Sequence, residues 1–319
     1  MENHGFRSWR SCVDRAKLKA HRTAGKADRM YVIHNPTAGR RNTGRLWNVL
    51  DCLASHGIPL KILETQYAGH ATELARTAVR QGADMVVAAG GDGTIAEVVA
   101  GMMHSDTRLG IIPLGTANVL AHEFNLPFAP KALAAVLGSD SGTPLWPGIL
   151  KSAGQSRLFV QMVGAGFDAH VVHHIDLGTK RLLGRGAYVL QTVRELPRYQ
   201  FPSLCIRADG KEYHAASVII SKGRFYGGPY LLSSDALPGE PGFSVTIFEN
   251  GGVSSALMAG ISLPQGRMGS LPGVQTVRAS HIEIMTPEGL PVQADGDPAG
   301  ILPFQIMDAA GPVVLAAGG

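Results

Sequence analysis

Gly90-Gly91-Asp92-Gly93-Thr94 sets three glycines, one acid and one hydroxyl where an apolar run, Met85-Val86-Val87-Ala88-Ala89, gives way to a helical pattern with Ile95, Val98 and Val99 on one face. That composition suits an anionic ligand. Glycines admit positive φ and let backbone N–H groups approach phosphate oxygens, while the following helix directs its positive end to the same place. Thr94 adds a hydroxyl donor, and Asp92 a carboxylate able to orient a magnesium-bound water or a ribose. Taken alone, the pentapeptide is equally a tight strand-to-helix turn.

Two companions change the balance. Strand-like Met30 to His34 runs into Asn35-Pro36-Thr37-Ala38-Gly39-Arg40-Arg41, a polar turn with a glycine and two cations. Arg108 to Ile112 reads as a third strand feeding Pro113-Leu114-Gly115-Thr116-Ala117-Asn118, with a helix starting near Val119. In an open parallel sheet all three loops fall at the carboxyl edge, where ligands bind. They converge only if strand, loop and helix repeat.

These residues resemble the diacylglycerol kinase catalytic-domain superfamily of lipid kinases, which includes bacterial diacylglycerol kinases, sphingosine kinases and ceramide kinases. The matching motifs are Asn35 to Gly39, Thr65 with Gly69-His70-Ala71, Gly90 to Thr94, and Pro113 to Asn118. They continue with Gly164-Ala165-Gly166-Phe167-Asp168-Ala169, Tyr226-Gly227-Gly228 and Gln293-Ala294-Asp295-Gly296-Asp297. The resemblance spans roughly residues 30 to 319. It implies ATP and Mg2+ as cofactors and a membrane lipid as acceptor. The residues it places at the nucleotide are Asn35, Pro36, Thr37, Ala38, Gly39, Thr65, Gly90, Gly91, Asp92, Gly93, Thr94, Thr116 and Asn118, with Arg40 or Arg41 offsetting phosphate charge. It places the general base at Asp295, beside a glycine that lets substrate approach. On local sequence alone, Asp295-Gly296 is a common hairpin turn pair. Asp297 stands where the family commonly has Glu, and is expected to bind magnesium or ribose. One departure concerns a structural magnesium: the family's Asp-Gly-x-apolar-Asp run is here Glu240-Pro241-Gly242-Phe243-Ser244. Asp235 and Glu240 are the remaining candidates for that metal.

At 319 residues with 45% hydrophobic content the chain exceeds what one core usually serves. The expected fold class is α/β with two domains. A Rossmann-like α/β nucleotide domain spans 28–146 and is completed by roughly 302–319; an antiparallel β-sandwich lipid domain spans 148–301. Short β-rich segments support the sandwich: residues 157–163, 204–207, 216–220, 243–248 and 281–285, interrupted by one helical stretch from Tyr188 to Leu196.

Residues 1–27 carry a net charge of +5 against +4 for the whole chain. This basic leader is expected to be disordered, and serves either solubility or attraction to an anionic membrane, each cation near such a surface contributing on the order of 1 kcal/mol. A second basic stretch, Lys180-Arg181-Leu182-Leu183-Gly184-Arg185, could meet a bilayer, bind phosphates or open a helix. No run is apolar and uncharged over the ~20 residues of a membrane span, and the N-terminus lacks the apolar core of a secretory signal. The expectation is a cytoplasmic protein at the inner face of the membrane, with no nucleic-acid partner and a homodimer as the open assembly. Cys12, Cys52 and Cys205 show no paired spacing and read as reduced thiols. His170, His173 and His174, with Asp168 and Asp176 nearby, have metal-ligand spacing, although a solvated helix face is the commoner outcome. Two rivals stand against a lipid kinase: a soluble-metabolite kinase of NAD kinase type, whose usual Asn-Glu pair is missing here, and a non-catalytic lipid-binding regulator.

Overall fold

In β1 (Met30–His34), Tyr31 and Ile33 enter one buried cluster while Met30 and Val32 enter another. That is the signature of a parallel strand covered on both faces. The structure, a computed structural model, describes residues 29–38, 43–152, 154–175 and 185–318. After β1 come α1 (Thr43–Ser55), β2 (Leu60–Glu64), α2 (His70–Arg80), β3 (Met85–Gly90), α3 (Asp92–Met102), β4 (Arg108–Pro113), α4 (Val119–Glu123) and α5 (Pro130–Leu137). Strands β2, β1, β3 and β4 lie side by side in that order and all run parallel. Leu46, Val49, Leu50 and Leu53 of α1 join Leu133 and Leu137 of α5 on one face; α2 and α3 cover the other with Ala71, Ala75, Ile95, Val98 and Val99.

Strand order reverses between β1 and β3. The crevice at the carboxyl ends of these two strands is therefore where a ligand belongs. β5 (Thr143–Leu145) then pairs antiparallel with β20 (Val313–Leu315), which lies parallel to β4, so the chain's last strand completes the first sheet.

Between them lies the second body. It contains β6 (Gly148–Ser152), β7 (Gln155–Phe159), β8 (Met162–Gly166), α6 (Phe167–His174), α7 (Arg185–Glu195), β9 (Leu204–Ala208), β10 (Lys211–Ala215), β11 (Ser217–Ser221), β12 (Phe225–Tyr226), β13 (Tyr230–Leu231) and β14 (Phe243–Phe248). It continues with α8 (Val253–Ser262), β15 (Val274–Ala279), β16 (His281–Thr286), β17 (Pro291–Ala294), β18 (Asp297–Ile301) and β19 (Phe304–Asp308). Two six-stranded antiparallel sheets, β10-β9-β16-β19-β6-β7 and β15-β14-β11-β8-β17-β18, enclose one core that includes Phe159, Val163, Ile206, Ile220, Phe243, Val245, Ile284 and Ile306. The α/β body and antiparallel sandwich expected from sequence are the architecture observed.

Three details differ from the sequence reading. Residues 157–163, read as one strand, are the end of β7 and the start of β8, and the break at Val160-Gln161 turns backbone N–H groups toward the hairpin at Asp295. Helices α6 and α8 also interrupt the sandwich, besides α7. α8 carries its large apolar residues on an exposed face. Finally, Phe304–Asp308 pairs with β6 and β16 inside the sandwich, so the return to the first sheet begins after it, not near 302. Among the described residues no helix is long and apolar enough to cross a membrane. The leader 1–27 lies outside the described residues.

Candidate active site

The predicted nucleotide loops meet at the crevice. Asn35 N–H donates to Ala89 O (3.0 Å), and its side chain donates from Nδ2 to Thr94 Oγ1 (3.0 Å) while Oδ1 accepts from Thr37 N–H and Thr37 O–H. The first loop is thereby tied to the second. Ala38 N–H returns to Asn35 O, and Thr65 N–H donates to His34 O, which sets Thr65 beside the same strand end. Pro36 and Thr37 are exposed at the rim. Gly39 and Arg40 lie outside the described residues.

Glycine is required here for close approach. A Cβ on Gly115 would stand 2.6 Å from Gly91 Cα, and one on Gly90 would meet the buried Thr94 side chain at 2.5–2.8 Å. Both distances are below any ordinary contact, so the second and third loops pack backbone to backbone. Asn118, at φ +48°, donates Nδ2 to Gly115 O (2.8 Å), and its buried Oδ1 has no partner among the described residues. A buried acceptor without a donor, next to a cradle that any side chain would fill, fits a nucleotide in this crevice. Thr116 sits in the same loop. Arg45, which sequence reasoning missed, donates Nη1 to Pro113 O (2.8 Å) and brings a guanidinium to the loop's start.

Asp92 has a structural part in the crevice. Its two carboxylate oxygens accept from Val119 N–H (3.2 Å) and Leu120 N–H (3.1 Å), capping α4 from across the crevice. Burial pushes its carboxyl above the ordinary range, against those backbone donors and His122, which pull it down. It positions the loops against each other. Glu97, also missed, plays the same part at α2: its oxygens accept from Gly69 N–H (2.9 Å) and Ala71 N–H (3.2 Å), so a carboxylate holds that helix end.

The acid at the tip of β17 and β18 completes the crevice. Ala294 pairs with Asp297, leaving Asp295 (φ +52°) and Gly296 (φ +80°) as a two-residue hairpin loop, so the turn pair suggested by local sequence is real. The turn also aims a carboxylate. Asp295 accepts from Val160 N–H (2.9 Å), Gln161 N–H (2.8 Å) and Met162 N–H (3.0 Å), the groups freed by the break between β7 and β8. Burial raises its carboxyl to about 6; the three donors pull it down, and the carboxylate of Asp92 across the crevice adds to the rise. Gly296 is fixed on both sides, its N–H to Gln293 Oε1 (3.0 Å) and its O from Tyr188 O–H (3.1 Å). Gln293 in turn donates to Asp168 (2.8 Å), and Tyr226 O–H donates to the same carboxylate. Asp297 faces the nucleotide loop, Oδ2 being 3.0 Å from where a Cβ on Gly93 would stand.

The two bodies are latched beside this site. Buried Glu123 at the end of α4 accepts from Arg224 N–H (2.7 Å), Arg224 Nε (2.8 Å) and Phe225 N–H (3.2 Å). Next to it the Gln161 amide is buried with neither atom partnered among the described residues.

Among the described residues, neither Asp235 nor Glu240 belongs to a group of three or more side chains close enough to share an ion. Asp235 is exposed and accepts from Ser234 O–H; the Glu240 side chain is exposed, while its backbone N–H donates to Leu237 O and its backbone O accepts from Lys222. That oxygen, Gly242 O and Asp308 Oδ1 surround the fully buried ammonium of Lys222 at 2.8–3.0 Å. A lysine supplies the cation at this corner. Of the histidines, His173 bonds Val292 O, while His170 and His174 turn toward Glu195. Asp176 lies outside the described residues, as does most of the basic stretch from Lys180. Cys52 and Cys205 are free.

A parallel α/β body with three phosphate-type loops at its switch point, facing a carboxylate hairpin from a β-sandwich, defines a two-domain phosphotransferase. Residues 29–144 match the family described as the diacylglycerol kinase catalytic domain, and residues 161–316 the YegS C-terminal NAD kinase beta sandwich-like domain. The chain belongs to the diacylglycerol kinase catalytic-domain superfamily and is a kinase. It is 27% identical over 287 residues to a diacylglycerol kinase of Bacillus subtilis (strain 168), covering 88% of this chain and 93% of that one. A "Probable lipid kinase YegS-like" of Xanthomonas euvesicatoria pv. vesicatoria (strain 85-10) is 29% identical over 265 residues, covering 80% and 85%. A crystal structure from Bacillus anthracis str. Sterne superposes with a TM-score of 0.74 at 23% identity, covering 93% of this chain and 97% of that one, a likeness of fold alone.

Proposed function

We propose that the protein transfers the γ-phosphoryl group of ATP to the hydroxyl of a membrane lipid, with Asp295 as general base. The observation that carries this reading is the position of Asp295: its hairpin lies between the nucleotide loops and an apolar cluster that reaches α8. On one side its hairpin meets Gly93 through Asp297. On the other, Met162, whose N–H grips Asp295, packs in a cluster with Ile219, Leu232 and Met268 beneath Ala259 and Leu263 of α8 and its following turn.

Bound Mg2+ and ATP would supply the reacting phosphoryl group and the charge that spreads its negative load. Asn35, Thr37, Thr94 and the backbone around Gly91, Gly93 and Gly115 would hold the phosphates. Asp297, on the nucleotide side, is the residue for magnesium or ribose. Asp295, ionised above about pH 6, takes the acceptor hydroxyl's proton, and the Gln161 amide offers that headgroup a donor and an acceptor.

Support for peripheral contact with a membrane comes from α8. Val253, Leu257 and Ile261 repeat at helical spacing and, with Met258, are 44–58% exposed, with exposed Arg267 just beyond. An apolar helix face flanked by a cation suits the headgroup boundary of an anionic bilayer.

The test is incubation of the full chain with labelled ATP, Mg2+ and mixed micelles of diacylglycerol, monoacylglycerol, ceramide or a sphingoid base. Label in one lipid names the acceptor. Label on NAD instead would favour the soluble-metabolite reading, and absence of transfer to any acceptor would favour a regulator.

A further inference from the structure

His170 and His174 are one helical turn apart on α6, so both imidazoles project from the same face. Their rings lie 4.2 Å apart between centroids. Glu195, the last residue of α7, reaches the same spot, Oε2 standing 3.0 Å from His170 Nε2. One ligand atom from each of the three lies within 4.8 Å of the others. We propose that His170, His174 and Glu195 bind a transition-metal ion, zinc being the ion this donor set suits, and that the ion clamps α6 to α7.

Two imidazoles and one carboxylate are a common protein ligand set for zinc, with a water in the fourth position. Small side-chain rotations would bring the ligands to the ~2 Å bonds and tetrahedral arrangement that zinc prefers. The surrounding bonds are those expected around such ligands. His174 Nδ1 faces His170 O at 2.8 Å, which leaves its other ring nitrogen for metal, and Gln191 Nε2 donates to Glu195 Oε1 at 3.0 Å. Arg198 approaches Oε1, the oxygen away from His170, at 3.5 Å. His170 and Glu195 are largely enclosed while His174 is exposed, so an ion can enter from solvent.

The clamp would act on a helix that matters. α7 carries Tyr188, whose hydroxyl holds Gly296 O beside Asp295. A second group, Cys205, Glu212 and His214, lies on the β9–β10 hairpin and is more open. It provides an internal control.

The experiment is titration of chelator-treated full-length protein with Zn2+ by calorimetry, with Co2+ as spectroscopic probe and amide hydrogen exchange of 185–195 as the readout of clamping. Wild type should bind one ion, show Co2+ ligand-field bands without a thiolate charge-transfer band, and exchange more slowly in α7 when loaded. His174→Ala, on the exposed ligand, should fold normally and lose at least tenfold in affinity, as should Glu195→Gln, while Cys205→Ser changes nothing. Failure of wild type to bind, affinity unchanged in His174→Ala, binding lost in Cys205→Ser, or unaltered α7 exchange would each overturn the proposal.

Discussion

Asp297 Oδ2 lies 3.0 Å from the point where a side chain on Gly93 would begin, so a carboxylate of the sandwich and a glycine of the α/β body meet across the crevice. Any side chain at 93 must push Asp297 aside or occupy phosphate space. Gly93→Val should therefore lower ATP affinity more than tenfold with the fold retained, as checked by nucleotide titration and circular dichroism. Wild-type affinity in the folded variant would remove this loop from the nucleotide site.

Asp295 can accept a proton only when ionised. With its carboxyl raised to about 6, kcat should climb as pH rises through that value and level off above it. Asp295→Asn should abolish this limb and lower kcat by about 10²–10⁴-fold while ATP still binds. A pH–rate profile for both proteins decides it, and normal turnover in the variant would refute the assignment.

Lys222 is a built-in cation, completely buried against Glu240 O, Gly242 O and Asp308 Oδ1. Lys222→Met should strand those oxygens and cost about 3–5 kcal/mol, the usual penalty for breaking a buried ionic contact from one side. Denaturant melts measure it. A loss below 1 kcal/mol would show that the corner is not held by the ammonium.

Leu257→Asp with Met258→Asp places two charges on the exposed face of α8. Binding to anionic vesicles should fall, and turnover of long-chain lipid in vesicles with it, while turnover of a short-chain dispersed lipid stays unchanged. Vesicle sedimentation beside the two assays separates docking from chemistry. Equal vesicle binding by variant and wild type would exclude this face as the membrane contact.

Gln161→Leu removes the unpartnered buried amide beside the Asp295 hairpin. The KM for the acceptor should rise several-fold and the KM for ATP stay constant. Unchanged acceptor KM would mean that the amide does not meet the headgroup.

The sequence by itself determined the loops and their order. The continuous apolar run Met85 to Ala89 reads as a buried strand, and the glycines after it as a turn, which in a repeated strand-loop-helix fold lies at one edge of the sheet. Asp-Gly at 295–296 was legible as a hairpin because few residue pairs accept positive φ twice. Tertiary structure alone decided what each acid does. Asp92 and Asp295 are both acids beside a glycine, yet one caps α4 through Val119 and Leu120 while the other takes its donors from a strand break more than 130 residues earlier in the chain. Glu97, Glu123 and Lys222 carried no local signal, because their partners are fixed by packing between distant segments. The exposed face of α8 was hidden for the opposite reason: apolar composition predicts burial, and only the folded chain reveals that this helix turns its large side chains outward.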